Sequence, residues 1–325
     1  MKRYQFTQSL ALLLALASSA LAQEAPQPAP EAEVVAPAAD TADLAKAAQN
    51  PLSSMISLPF QYNLFEGVER YDIDKDAILT RGLLRRLVSE DQGPDGVLRL
   101  RLRSRLFRSA VDTHDRTQHL LNIQPVIPVP LGEVNLINRL IIPLLYQPTG
   151  ESGGEFGLGD IQYMAFFSPA DAGKIIWGVG PIFSLPTATD DILGTGKWSI
   201  GPTAVALTIK GRWVYGVLAN NLWSFAGEGD RPDVNSMLLN PFINYNLDKG
   251  WYLTSSPNIL ANWEADSDDR WTVPVGGGVG KIFKIGKQPM SASLTAYYNV
   301  EKPDGAADWN AQFQFKFMFP TGKKH

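Results

Sequence analysis

Apolar and polar residues alternate with a period of two along most of the chain after Ile56. The stretch 309–319 shows this best, because Trp, Ala and Phe residues fall on one face and Asn, Gln, Lys and Met on the other. Successive side chains of a β-strand point to opposite faces, so this period predicts strands with one apolar face. A row of Phe residues also suits the core of a soluble β-sandwich, so this strand alone does not identify the fold. The connections between the strands have to be considered as well.

Alternation and turn residues together predict twelve strands. Their approximate spans are 56–64, 118–129, 134–146, 157–168, 174–185, 197–209, 212–225, 235–247, 250–263, 270–283, 288–300 and 308–320. An even number is expected for a bacterial barrel whose two ends lie on the same side of the membrane. Two further strands within 65–117 would give fourteen and keep the number even.

The connections between these strands alternate in length. The short ones are 131–133, 169–173, 210–211, 248–250 and 286–287. The longer ones, which are mostly acidic, are 150–156, 187–196, 227–233, 264–269 and 301–308. A Greek-key sandwich has no reason to keep this alternation, whereas an up-and-down barrel of the outer membrane has short turns on one side and long loops on the other.

All eight tryptophans fall near predicted strand ends. Those near the short-turn ends are Trp177, Trp213 and Trp251, and those near the long-loop ends are Trp198, Trp223, Trp263, Trp271 and Trp309. Indole rings concentrate at the two interfaces between membrane and water. The sequence therefore predicts an all-β, antiparallel, up-and-down transmembrane β-barrel with an aromatic girdle at each interface.

The positions of the tryptophans also predict which face of each strand is turned toward lipid. The opposite faces carry polar side chains that should line the lumen, namely Gln61, Asn63, Asn122, Gln124, Gln162, Asn240, Asn244, Tyr252, Asn258, Ser291, Ser293, Thr295, Tyr297, Gln312 and Gln314. Asn221 falls on the lipid-facing side instead, and a bulge at Asn220-Asn221 would restore the phase. Such a lumen, rich in amides and hydroxyls, suits small polar or aromatic compounds better than ions.

Arg139 and Asp160 lie on consecutive predicted strands, and both are expected to point inward. One interpretation is a constriction of opposite charges that orients a solute. The other is a buried ion pair that fixes the register of the two strands.

The first 22 residues are typical of a cleavable signal peptide. Lys2 and Arg3 precede the apolar run 10–16, and Ala20-Leu21-Ala22 supplies the small-x-small cleavage pattern. Residues 23–50 form a Pro/Ala/Glu-rich segment that predicts a flexible periplasmic tail, followed by the barrel over 51–325. A short helix is expected over 41–49, ended by Pro51, and the segment 41–54 could fold back as a plug into the periplasmic mouth.

The segment 65–117 would be a long first external loop. Arginines alternate with leucines in its centre, at Arg99, Arg101, Arg103 and Arg105. One interpretation is a site for lipopolysaccharide phosphates or other anions. The other is a solvated hairpin whose charge is partly offset by the acidic residues around it.

Several stretches resemble an outer-membrane family labelled "MetA-pathway of phenol degradation", some members of which are labelled "neuromedin U". These are Gln49-Asn50-Pro51, ISLPFQYN (56–63), LNIQPVIP (121–128), RLIIP (139–143), GLGD (157–160), LWSFAG (222–227), NPFINYN (240–246), WTVPVGGGVGK (271–281) and the Phe-rich last strand. Together they extend over most of residues 49–320, and 65–117 departs from the family pattern by its length. The resemblance implies an outer-membrane barrel with a transport role.

The remaining chemistry of the chain argues against an enzyme. There are three histidines and no cysteine, and His114 and His119, five apart, would lie on opposite faces of a strand. The net charge of −4 gives no indication of a nucleic-acid partner, and no metal or cofactor is expected.

The predicted function is passive uptake or release of small polar or aromatic solutes through a Gram-negative outer-membrane channel. Its surroundings would be outer-membrane lipids and lipopolysaccharide, and the barrel-assembly machinery would be a partner during biogenesis. The alternatives are a non-conducting structural or adhesive barrel that binds lipopolysaccharide through the Arg-rich loop, and an outer-membrane hydrolase.

Overall fold

The structure is a computed structural model that describes residues 41–68, 116–149 and 153–320. It begins with helix α1 (Thr41–Gln49), which confirms the helix predicted over these residues. No helix in the described ranges is long and apolar enough to cross a membrane.

Fifteen strands in these ranges form one antiparallel sheet. They are β1 (Ile56–Val68), β2 (Arg116–Ile123), β3 (Val126–Leu131), β4 (Val134–Thr149), β5 (Gly153–Leu158), β6 (Ile161–Pro169), β7 (Ile176–Leu185), β8 (Lys197–Lys210), β9 (Trp213–Gly227), β10 (Asn235–Asn246), β11 (Trp251–Ser255), β12 (Ile259–Asn262), β13 (Trp271–Ile285), β14 (Gln288–Glu301) and β15 (Trp309–Phe319).

The sheet closes on itself. The first strand pairs with the last, from Ile56 opposite Phe319 to Glu66 opposite Trp309, and β9 pairs with β10 to complete the ring. Three of the strands around the ring are each broken in two, as β2/β3, β5/β6 and β11/β12, so the described sheet is a barrel of twelve strands. Because β1 pairs directly with β2, the alternative of fourteen strands is wrong.

The breaks are the main departure from the predicted spans. The predicted strand 118–129 is interrupted at Gln124-Pro125, and 250–263 is interrupted at 256–258. The region 150–156, predicted as a loop, contributes β5, which pairs with the end of β4 from Leu144 opposite Leu158 to Thr149 opposite Gly153.

Prolines on three neighbouring strands explain the break at 256–258. Pro257 has no N–H for the ladder, and Pro241 on β10 and Pro274 on β13 lie beside the same interruption. The pairing register is the same on both sides of the break, so the strand leaves its neighbours and returns without a bulge. Because proline cannot donate to the ladder, three prolines at neighbouring positions remove several of the hydrogen bonds that would hold the strand there.

Short turns join the strands at one end of the barrel, which we call the short-turn end. The two-residue connections Gly211-Arg212 and Gly286-Lys287 each start with a glycine in the left-handed region, with φ of 60° and 61°. Positive φ at this position fits the twist of a tight hairpin, and only glycine adopts it at low cost. The opposite end, the long-loop end, carries the connections 186–196, 228–234, 263–270 and 302–308.

The outer surface of the barrel is apolar and is flanked by indole rings. Seven of the eight predicted girdle tryptophans are exposed, and Trp271 is half-buried against Trp263, with the ring centroids 5.6 Å apart. Between the two rings of tryptophan, large apolar side chains such as Val217, Val279 and Leu294 also point outward. This is the surface of a transmembrane barrel.

Asn221 does lie on this outer face, but the predicted bulge at Asn220-Asn221 is wrong. The β9–β10 register runs through both residues without a shift. The amide of Asn221 is satisfied instead by its neighbours, since it donates to Asn235 Oδ1 at 3.1 Å and accepts from Trp263 Nε1 at 3.0 Å.

Gly180 marks a point where β6 and β7 approach too closely for any side chain. A Cβ at this position would lie 1.7 Å from the carbonyl oxygen of Ala165, whereas Gly173, in a short turn, has no atom within 4 Å of its Cβ position. We expect Gly180→Ala to lower the free energy of unfolding by about 1–3 kcal/mol, measured by urea titration in phospholipid vesicles. Gly173→Ala is the matched control, and equal effects of the two changes would contradict this account.

Candidate functional site

The barrel encloses a cavity of about 480 Å³. All ten residues predicted for the lumen or its constriction line it, namely Asn122, Gln124, Arg139, Asp160, Gln162, Asn240, Asn244, Tyr297, Gln312 and Gln314. Their positions follow from the pleat, because each lies on the face of its strand opposite to the outward apolar residues.

One side of the cavity is a network of amide side chains across β15, β1 and the β2/β3 break. Gln124 donates to Gln61 Oε1 at 3.1 Å, Gln61 donates to Asn63 Oδ1 at 3.3 Å, and Gln312 donates to the same Asn63 oxygen at 3.2 Å. Thr295 extends the network to β14 by donating to Gln312 Oε1 at 3.1 Å. These bonds fix the amides in place, so this wall presents a preorganised polar surface.

The other side of the interior is apolar. Ile137, Phe166, Ile182, Val205 and Leu222 are buried together inside β4 and β6–β9. Met164, Leu218, Leu238 and Phe242 belong to the same cluster and also line the cavity. The lumen is therefore amphipathic rather than uniformly polar, which the sequence analysis did not predict.

Lumen side chains bond to the backbone of the strand break at 256–258. Ser256 donates its backbone N–H to the hydroxyl of Tyr297 at 2.9 Å, and the amide of Asn240 donates to Pro257 O at 2.9 Å and to Asn258 Oδ1 at 3.0 Å. Ser256 and Asn258 line the lumen. Two backbone groups at the break are thus bonded by the predicted lumen residues Tyr297 and Asn240.

The N-terminal segment 44–55 forms the floor of the cavity at the short-turn end. Leu44, Ala45, Ala48 and Met55 are buried against Tyr252, Ile282 and Met318, near the short-turn ends of their strands. Leu52 packs into the space left by Gly178, where a Cβ would meet its methyl groups at 3.1 and 3.2 Å. The segment therefore lies inside the barrel.

Polar contacts also hold this segment. Gln49 and Asn246 exchange two amide hydrogen bonds of 2.9 and 3.1 Å. Lys316 Nζ donates to the carbonyl oxygen of Ala48 at 2.9 Å, in the last turn of α1. A cation at a helix C-terminus satisfies a carbonyl that has no partner within the helix and interacts favourably with the helix dipole.

Arg139 and Asp160 do not form the predicted pair. The N–H of Gly159 donates to Pro143 O, so Asp160 lies beside Pro143 of β4. Pro143 is four residues away from Arg139 on the same strand, which corresponds to roughly 13 Å. Arg139 Nη2 donates to Gln124 Oε1 at 2.7 Å. Both interpretations that joined the two charges directly, as a constriction or as an ion pair, are wrong.

Asp160 instead anchors the 186–196 loop at the long-loop end. Its carboxylate accepts from the N–H of Thr195 at 2.6 Å, from the Thr195 hydroxyl at 2.7 Å and from the N–H of Ala188 at 3.3 Å. Arg231 joins the next loop to this one by donating to Asp191 O at 2.7 Å. The two loops are thus held together on the side of the barrel opposite to α1.

Lys316 is the charged lumen residue that the sequence analysis missed. It lies on the polar face of the last strand, two residues after Gln314, and lines the cavity. The alternation in 309–319 places it inward, and that signal was sufficient to find it. Together with Arg139, it gives the lumen two positively charged side chains.

The other predicted residues fall into two groups. Arg99, Arg101, Arg103, Arg105 and His114 lie outside the described residues. His119 points outward on β2, where its Nδ1 lies 2.6 Å from the hydroxyl of Tyr62. Among the described contacts of His119 there is no serine or carboxylate with which it could form a catalytic pair.

The solved structures that match the chain include an outer-membrane channel with a TM-score above 0.5. A channel from Pseudomonas putida F1 has a TM-score of 0.55 and 14% sequence identity, with 82% of this chain and 96% of that chain covered. A FadL homologue from Pseudomonas aeruginosa has a TM-score of 0.38 and 9% identity, covering 84% and 92% of the two chains. Outer membrane phospholipase A from Escherichia coli has a TM-score of 0.35 and 13% identity, covering 85% and 98%.

No family model and no curated protein sequence matches the chain. At 14% identity, the likeness to the channel from Pseudomonas putida F1 shows the barrel fold alone. The resemblance to the family labelled "MetA-pathway of phenol degradation" therefore stays a prediction.

The hydrogen bonds of Asp160 predict that Asp160→Ala releases the 186–196 loop. Each hydrogen bond to a charged group contributes about 1.5–3 kcal/mol, so we expect amide hydrogen exchange of a peptide covering Ala188 and Thr195 to accelerate about tenfold or more. Asp230→Ala, which removes an exposed carboxylate from the neighbouring loop, is the control. Unchanged protection in Asp160→Ala would contradict the anchoring role.

Proposed function

We propose that the chain is an outer-membrane channel for passive passage of small solutes, closed at its periplasmic mouth by residues 41–55. The observation that carries the proposal is a cavity of about 480 Å³ inside a closed barrel, with a separate segment of the same chain as its floor. Barrels of eight strands are filled by their own side chains and those of sixteen or more are open, so twelve strands suit a narrow pore.

An outer-membrane location is supported by three independent features. The strands have apolar outward faces, indole rings flank both ends, and the connections 186–196, 228–234, 263–270 and 302–308 all lie at the end opposite to the two-residue turns, as in bacterial outer-membrane barrels. The signal-peptide pattern of residues 1–22 supports export across the inner membrane. The short-turn end, which holds α1, would then face the periplasm.

We call residues 41–55 the plug, and their contacts support a reversible rather than a permanent closure of the pore. The polar anchors of the plug are the Gln49–Asn246 amide pair and the bond from Lys316 to Ala48. Each such bond contributes about 0.5–1.5 kcal/mol, and burial of Leu44, Leu52 and Met55 adds about 1.5–3 kcal/mol for each side chain. None of these contacts belongs to the pairing of the strands, so the segment can leave the lumen without any strand of the barrel losing its partner.

Removal of the plug should open the pore. We expect refolded mature protein (23–325) to give rare or small current steps in a planar bilayer, and deletion of 23–54, which removes both α1 and Leu52, to raise the conductance several-fold. Heat-modifiable migration in gels shows whether both proteins are folded. An unchanged conductance after the deletion would contradict the plug, and silence of both folded proteins would contradict the channel.

A single substitution can test the same closure without shortening the chain. In Gly178→Leu the new side chain would occupy the space of Leu52, whose methyl groups already lie 3.1 Å from the Cβ position. We expect the plug to be displaced, with an increase in the fraction of time for which current flows. Gly173→Leu, in a short turn with open space around it, should leave the currents unchanged.

Small phenols are the solutes that the family resemblance suggests. The apolar side of the cavity, which includes Met164 and Phe242, supports an aromatic solute, and the amide network supports a hydroxyl group. Uptake of phenol by liposomes that contain the protein, measured above the uptake by protein-free liposomes and compared with uptake of glucose, which is larger and much more polar, would test this proposal. The adhesive alternative depends on Arg99 to Arg105, outside the described residues, and stays a prediction.

A further inference from the structure

We propose that the short-turn end of the cavity is a binding site for a small organic anion, an aromatic or alkyl carboxylate, held between Arg139 and Lys316. The inference rests on the proposed channel function and names the class of solute. It goes beyond the neutral polar or phenolic solutes considered so far, because it depends on two positive charges inside the barrel.

The two cations lie at the same level of the barrel. Lys316 is opposite Pro59 on β1, Pro59 O accepts the N–H of Gln124, and Pro125 O accepts the N–H of Leu140, next to Arg139. Three steps between neighbouring strands, each about 4.8 Å, separate the two backbone positions by roughly 14 Å along the curved wall. Both long side chains extend into one cavity, so an anion between them can contact both.

Neither cation has an anionic partner in the cavity. Arg139 donates to the neutral amide of Gln124 and Lys316 to the neutral carbonyl of Ala48. Among the described residues that line the cavity, Asp160 is the single carboxylate, and its oxygens are occupied by Thr195 and Ala188 at the long-loop end. The two positive charges therefore have no negative charge bound to them inside the lumen, and an anion that enters the lumen supplies one.

The donors suit a carboxylate in particular. A guanidinium carries five N–H donors in a planar fork that matches the two oxygens of a carboxylate, and the bond to Gln124 uses one of them. The ammonium group of Lys316 carries three donors, and the bond to Ala48 uses one. Donors remain on both sides of the site without any rearrangement of the wall.

The apolar part of the solute has a surface beside the same charges. Met164 is the cross-strand partner of Arg139, and it belongs to the buried cluster that continues through Leu218 to Leu238 and Phe242. All four of these side chains line the cavity. A carboxylate attached to a ring or a short alkyl chain can therefore bind both cations while its apolar part replaces water on this wall.

Three probes of similar chemistry separate the contributions to binding. Benzoate carries the charge and the ring, benzamide carries the ring without the charge, and acetate carries the charge without the ring. In calorimetric titrations of the refolded mature protein, we expect benzoate to bind about tenfold more tightly than benzamide, because a charge-assisted hydrogen bond contributes about 1.5–3 kcal/mol. We also expect it to bind about tenfold more tightly than acetate, because the ring buries apolar surface against the apolar wall.

Charge-removing variants locate the site. Arg139→Gln and Lys316→Gln should each weaken benzoate binding about tenfold and leave benzamide binding unchanged. Arg139→Lys should restore part of the lost affinity, since it keeps the charge but not the planar fork. Lys210→Gln, which removes an exposed charge at a short turn, is the matched control and should bind benzoate like the wild type.

The outcomes distinguish this inference from the channel itself. Equal binding of benzoate and benzamide to the wild type would overturn the anion site, whatever the variants do, and would leave a conducting protein as a channel for neutral solutes. Loss of benzoate affinity in Lys210→Gln to the same extent as in Arg139→Gln would also overturn it. Specific benzoate binding by a folded protein that is silent in bilayers, with and without residues 23–54, would sustain the site and refute the channel.

Discussion

Closure of the sheet is the constraint on which the rest of this structure depends. In hydrocarbon, each unpaired backbone N–H or C=O costs several kcal/mol, so a membrane sheet cannot have a free edge. Pairing of β9 with β10, and of the first strand with the last, removes both edges. Once the ring is closed, the pleat directs every second side chain into an enclosed space, where amides and charges that lipid would exclude find partners among themselves.

A ring of twelve strands encloses more space than its own side chains fill, and the chain fills this space unevenly. On one side, an apolar cluster built around Ile137 and Ile182 occupies the interior. At the short-turn end, α1 and Leu52 occupy it instead. What remains is the cavity of about 480 Å³ between the amide network and the apolar wall.

The features that the sequence predicted correctly depend on local periodicity. Alternation, turn residues and the positions of tryptophan predicted the twelve strands, the outward faces and the ten lumen residues. The strand break at Pro257 was missed because it depends on prolines of two neighbouring strands, which are adjacent only after folding. The apolar wall was missed because strands such as β9 are apolar on both faces, with Val214 and Leu218 inward and Val217 outward. There, alternation carries little information about the lumen.

Arg139 and Asp160 lie on consecutive predicted strands, but this order does not determine whether their side chains contact each other. Both residues do point inward, as predicted, but Asp160 lies at the β5/β6 break, near the long-loop end. Two backbone N–H groups donate there to its two carboxylate oxygens. Arg139 is left with an amide, and Lys316 is bound to the end of a helix that is not part of the sheet. The negative charge of Asp160 is thus bound by a loop at the long-loop end, and the positive charge of Lys316 by the plug at the short-turn end. Neither follows from the alternation of the strands, and together they leave the positive charge next to the plug.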